Sequence, residues 1–157
     1  MNKKGFTLVE LLAVIAILAI LVIIALPNVL KMFNDSKKNS FMTEVRDIYK
    51  QAQTQFIADS MTTAGAKTYS NNLGTACNPA TSALEMNGRA SNGGQLAYSV
   101  SLDTNGNVTA IQVSDGSYYY IADPNASSKT ASTVPSDASK IILNDIAEGT
   151  TAAACTQ

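Results

Sequence analysis

The side chains that most often do chemistry are scarce in this chain, and their absence narrows its function before any fold is considered. There is no histidine, and the two cysteines are Cys77 and Cys155. This removes imidazole-based catalysis and most zinc sites together. The serines are plentiful, but a Ser-His-Asp triad cannot be built without histidine, and no Ser-x-x-Lys arrangement replaces it. The residues therefore offer no catalytic group, no metal-ligand set and no cofactor, and the chain does not read as an enzyme. Asp103, Asn105 and Asn107 around Gly106 resemble the front of a calcium loop, but Ser114 stands where a bidentate acid is required, and a hairpin turn accounts for them. Asn107-Val108-Thr109 and Asn125-Ala126-Ser127 fit the glycosylation triplet, a pattern common by chance. Tyr118, Tyr119 and Tyr120 could form a stacking platform for bases. Alternate residues of a strand face opposite sides, however, so core packing with one exposed ring explains them more simply.

The residue that demands a chemical account is Glu10. It lies about one helical turn inside an apolar run, where an ionised acid costs about 2.5 to 3.5 kcal/mol. Lys3 and Lys4 are the nearest cations along the chain. Either Glu10 snorkels to the headgroup layer, or a neighbouring molecule supplies its partner.

The element that carries Glu10 is apolar through 6–30, interrupted by Thr7, Glu10, Pro27 and Asn28, with no polar or charged residue across 11–26. At 1.5 Å per residue the run is about 37 Å long, enough to cross a hydrocarbon core of about 30 Å. A cleaved secretory signal would have a shorter apolar core and a small-residue cleavage site, whereas Leu26 is followed by Pro27, Asn28, Val29, Leu30 and Lys31. Lys3 and Lys4 precede the span, and Lys31, Lys37 and Lys38 follow it with Asp35 among them, so the lysines do not fix its direction. Pro27 removes a backbone donor and crowds the preceding turn, which predicts a kink or a locally melted stretch at 23–27.

The run Lys3-Lys4-Gly5-Phe6-Thr7-Leu8-Val9-Glu10, continued by LLAVIAILAILVIIALP, resembles the class III signal of type IV prepilins and the related pseudopilins. The resemblance covers about the first 30 residues. It implies cleavage by a prepilin peptidase between Gly5 and Phe6, N-methylation of Phe6, and a role for Glu10 and Pro27 in assembly. Glu10 would then pair with the N-terminal ammonium of an adjacent subunit. The partners implied are further copies of the chain in a helical filament, the peptidase, the assembly platform with its ATPase, and the membrane before assembly. The implied location is a single-pass cytoplasmic-membrane protein with its head outside the cytoplasm, which then enters a surface or periplasm-spanning filament.

With 157 residues and a net charge of -1, the chain has room for one ordinary domain plus an appendage, and no global basic field that would draw it onto nucleic acid. Beyond the polar stretch 34–39, Phe41, Val45, Ile48, Tyr49, Ala52 and Phe56 recur at helical spacing and predict an amphipathic helix ending within 60–65. The opposite face, with Glu44, Arg46, Lys50, Gln51 and Asp59, reads as solvated surface. Residues 66–94 read as a long loop with one helical turn at 83–86. Leu96, Tyr98, Val100 and Leu102 alternate, followed by a turn at 103–107 and by Val108, Ala110, Ile111 and Val113. A second turn at 114–116 leads to the tyrosines, which predicts a three-stranded meander packed on the helix. Residues 123–136 form a Pro, Ser and Thr rich connection, and Ile141, Ile142 and Leu143 add a fourth strand or a short helix. The fold expected is α+β and pilin-like: a leader at 1–5, a spanning helix at 6–30, an amphipathic helix at 31–61 and a sheet-bearing head at 62–157. Two distant cysteines in a head outside the cytoplasm fit one Cys77–Cys155 disulfide, which would anchor the tail. The alternative is a pair of thiols in a reducing compartment.

Overall fold

A computed structural model describes residues 5–71, 82–91 and 94–149. Cys77 and Cys155, and with them the expected disulfide, lie outside the described residues. The chain forms two units, Met1–Lys37 and Lys38–Gln157. One helix, α1, runs from Leu8 to Ser60.

In the first unit α1 carries the apolar run, and every residue from 8 to 33 is exposed. An apolar helix with no protein against it needs another apolar medium, and this one is long enough to cross a membrane. The helix is unbroken through Pro27, so of the kink or melted stretch expected at 23–27 the single chain shows no melting. Proline removes a single donor from the ladder, and the turns on either side keep theirs.

In the second unit Phe41, Val45, Ile48, Tyr49, Ala52 and Phe56 of α1 are buried against an antiparallel sheet of five strands in sequence order. These are β1 (Lys67–Ser70), β2 (Ala97–Leu102), β3 (Val108–Ser114), β4 (Tyr118–Ala122) and β5 (Ala147–Glu148). The core face of the sheet alternates as a pleated strand requires: Tyr98, Val100 and Leu102 of β2, Ile111 and Val113 of β3, and Tyr118 and Tyr120 of β4 are all buried. Tyr118 meets Phe41 of the helix with ring centroids 6.1 Å apart, while Tyr119 on the other face is half-buried. The Tyr120 hydroxyl is buried without a hydrogen-bond partner among the described residues.

The expected three-stranded meander is thus the centre of a wider sheet. β1 was hidden inside the segment read as a loop, and its pairing is extended by Asn71, whose side chain accepts from the Tyr98 amide and donates to the Leu96 carbonyl. The helical turn expected at 83–86 is instead a 3-10 turn at Gly88–Ala90. Around Ile141, Ile142 and Leu143 the chain makes two 3-10 turns, Ala138–Lys140 and Leu143–Asp145, before β5. The 103–107 turn is closed by Asp103, whose carboxylate accepts from the Asn105 and Asn107 amides at 2.8 and 2.9 Å. Gly106 is in the left-handed region at φ 84°, and an added Cβ would sit 3.0 Å from the Phe56 ring. The turn therefore needs glycine both for its backbone and for its approach to α1.

The polar face of α1 is solvated at Lys50, as expected, but Glu44, Arg46, Gln51 and Asp59 are half-buried and engaged by the head, which corrects the sequence expectation for them. Arg46 donates to the Ile141 carbonyl at 2.6 Å, Gln51 to the Glu85 carbonyl, and the Tyr69 hydroxyl donates to Asp59 at 2.9 Å. Arg89 bridges Glu44 of α1 at 3.1 Å and Asp115 of the β3–β4 turn at 2.7 Å. The two carboxylates respond oppositely to this one guanidinium. Burial pushes Glu44 above its ordinary range, and Arg89 offsets only part of that. Burial also pushes Asp115 up, but the Tyr118 and Ser117 amides and Arg89 together hold it below the usual range.

The sign of the pH dependence follows from those directions. The depressed Asp115 contributes stability above its unfolded value of about 3.9, lost as pH falls below it; the raised Glu44 is relieved by protonation in acid. Arg89→Gln leaves two carboxylates facing each other. It is expected to cost about 1 kcal/mol at pH 7, since the arginine is partly exposed. The deficit should shrink as pH is lowered from 7 towards 4.5 and Glu44 protonates, measured by thermal unfolding of the detergent-solubilised full chain at the two pH values.

Candidate assembly site

Gly5, Phe6 and Thr7 precede the helix in exposed chain without regular secondary structure, and Phe6 is 87% exposed. The helix begins at Leu8 because Thr7 caps it. The Thr7 hydroxyl accepts from the Glu10 amide at 3.3 Å and donates to Glu10 Oε2 at 2.8 Å, while the Thr7 amide donates to the same oxygen at 2.9 Å. This is a reciprocal capping box, Thr-x-x-Glu, in which two otherwise orphaned backbone donors find partners. The carboxylate also lies at the positive end of the helix dipole.

Glu10 is therefore not bare in the single chain; a neighbour three residues away holds it, while Lys3 and Lys4, its nearest cations along the chain, lie outside the described residues. Thr7 is the residue that sequence reasoning passed over. Its signal was present as a threonine three residues before an acid at the head of an apolar run. Gly5 and Phe6 lie together just outside the cap. Pro27 lies 17 positions beyond Glu10 in the same helix and makes no contact with it. At Gly5 an added Cβ would meet nothing within 4 Å and the backbone is not left-handed, so neither packing nor conformation requires glycine there.

The head offers little competing chemistry. A cleft of about 440 Å³ in it is lined by Thr68, Ser101, Asp103, Thr109, Asp123 and Asn125 among others. Both acids are already occupied: Asp103 by its own turn, Asp123 by Gln112 Nε2 at 2.7 Å and the Asn125 amide at 2.8 Å. Among the described residues no three acids or cysteines lie close enough to hold a metal.

A capped, exposed, apolar helix ahead of a small sheet-bearing unit defines a membrane-anchored protein whose N-terminal residues are its chemical centre. Residues 1–26 match the prokaryotic N-terminal methylation motif, the type IV prepilin-type signal, which supports a type IV pilin- or pseudopilin-like protein. The motif points to a structural protein rather than an enzyme, and it implies processing by prepilin peptidase. No curated protein and no solved structure matches the chain.

Proposed function

We propose that this chain is a structural subunit of a type IV pilus or pilus-like filament, with adhesion, motility, secretion or DNA uptake as the use of the polymer. Prepilin peptidase cuts between Gly5 and Phe6 and methylates Phe6, and the apolar helices then pack into the filament core on the assembly platform and its ATPase. The head lies outside the cytoplasm throughout. The observation that carries this reading is a carboxylate, Glu10, set inside an apolar run as the fifth residue after the scissile bond of a methylation motif. Cutting there creates a cation at Phe6, and a buried acid on an adjacent subunit is the group that pairs with it. A glycine at position 5 that the chain's own packing does not use supports recognition of that position by a separate protein.

A second reading has an observation in its favour. Because Thr7 satisfies Glu10 within one chain, the acid needs no neighbour, and a membrane-anchored binding module that never polymerises would carry the same cap.

Intact-mass measurement on the native membrane fraction and on sheared surface material tests the proposal. The expected result is a chain lacking residues 1–5 and carrying one added methyl group, present in the sheared material. An uncut chain confined to the membrane, with the peptidase present, would overturn it.

A further inference from the structure

We infer that Asn87 is a self-modification site, where the chain converts asparagine to isoaspartate through a cyclic imide formed with the Gly88 amide. The Gly88 nitrogen attacks Cγ of the Asn87 side chain, and the carboxamide nitrogen leaves as ammonia with the proton that Gly88 gives up. The five-membered ring so formed keeps both carbonyls of Asn87. Water then opens it at either one, so that one water enters and one ammonia departs. Opening at the main-chain carbonyl leaves the backbone running through the former side chain, which is isoaspartate, with a new free carboxylate. A following glycine favours the attack because no Cβ crowds the nitrogen.

The sequence holds Asn-Gly pairs at 87–88, 92–93 and 105–106, of which 92–93 lies outside the described residues. The structure separates the other two. Asn87 is exposed and extended, at φ -105° and ψ 166°, and its side chain forms no cap on the 3-10 turn that follows. The Gly88 amide has no hydrogen-bond partner among the described residues. Gly88 is in the left-handed region at φ 70°, and an added Cβ there would meet nothing within 4 Å, so the ring has room to form. Bringing the nitrogen onto Cγ requires the peptide plane between the two residues to turn, ψ of Asn87 against φ of Gly88. Glycine accepts either sign of φ, so the plane can turn while the Gly88 carbonyl stays on the Ser91 amide and hydroxyl at 3.2 and 2.7 Å. The second pair is held shut. The Gly106 amide donates to the Asp103 carbonyl at 3.1 Å, the Asn105 amide donates to the Asp103 carboxylate at 2.8 Å, and Gly106 lies close to the Phe56 ring. That nitrogen is freed only when the turn opens. Conversion at 87 puts a negative charge two residues from Arg89, whose guanidinium already holds Glu44 and Asp115. The inference depends on the head alone and holds whether or not the chain polymerises.

The test ages the detergent-solubilised full chain in neutral buffer and follows the peptides carrying Asn87 and Asn105 by mass spectrometry, with electron-transfer fragmentation to tell isoaspartate from aspartate. The Asn87 peptide is expected to gain about 1 Da, mostly as isoaspartate. It should do so about ten-fold faster than the Asn105 peptide, whose hydrogen bonds must open first. In the urea-unfolded chain the two peptides should convert at similar rates, which assigns the difference to the fold. Conversion of Asn105 as fast as Asn87 in the folded chain would overturn the inference. So would an Asn87 peptide that stays unchanged in the folded chain while the unfolded chain converts, and so would a gain made of aspartate alone, which would mean direct hydrolysis without the ring.

Discussion

Glu10→Gln is expected to remove filament from the sheared fraction while leaving cleavage after Gly5 intact. The amide oxygen of glutamine can still accept from the Thr7 amide, so the cap and the start of α1 persist; only the charge is lost. Deleting one partner of a buried ion pair costs about 3 to 5 kcal/mol, or about two to three and a half decades in association. In the wild-type chain both hydrogen bonds from Thr7, at 2.8 and 2.9 Å, fall on Oε2, so the carboxylate can keep its cap while its other oxygen takes a neighbour's ammonium. Thr7→Val separates the two effects. It removes the hydroxyl, weakens the cap by about 0.5 to 2 kcal/mol and leaves the charge, so filament should persist and the helix should fray at its first turn. Intact mass and quantification of sheared material on both variants decide the matter. If Glu10→Gln assembles like the wild type, the acid is a helix cap and nothing more, and the anchored-module reading replaces the filament.

What could be read from the sequence depended on how local its cause was. The six apolar positions of the amphipathic helix were set by a 3.6-residue period and are the same six that α1 buries. β2, β3 and β4 were visible because alternation and turn residues fall within a few positions of each other. β1 carries a single large apolar residue in four, Tyr69, and becomes a strand through its pairing with β2; β5 is two residues long. Neither has a period to detect. The polar face of α1 misled for a related reason. Arg46 meets a carbonyl 95 residues away and Glu44 meets an arginine 45 residues away, and no spacing along the helix records partners brought in by the fold. At the N-terminus the cause was local: the cap is written in four residues, Thr7 to Glu10, and it holds the carboxylate within one chain whatever it meets on another.

Phe41→Ala is expected to have the largest effect on the stability of the head. Phe41 is 1% exposed, sits near the start of the buried stripe of α1, and its ring packs at a 34° tilt against Tyr118 of β4. Truncating a buried phenylalanine costs about 3 to 5 kcal/mol through lost transfer energy and the cavity left behind. A domain of this size is stable by about 5 to 15 kcal/mol, so the substitution removes a large share of what holds the second unit together. Phe41→Leu keeps most of the volume and should cost about 1.5 kcal/mol or less. Thermal unfolding of the detergent-solubilised full chain, followed by near-ultraviolet circular dichroism of the tyrosines, should show the alanine variant melting far below the wild type and the leucine variant close to it. Equal melting of all three would mean that the helix stripe does not hold the sheet. The same variants also separate processing from folding. Gly5 and Phe6 belong to the first unit and Phe41 to the second, so a chain whose head has lost its packing should still be cut and methylated. It should nevertheless fail to accumulate in the sheared fraction, because exposed strand edges and core side chains divert it to aggregation or proteolysis. A cut, methylated, membrane-retained Phe41→Ala chain would establish that the signal works without a folded head and that accumulation in the filament requires one.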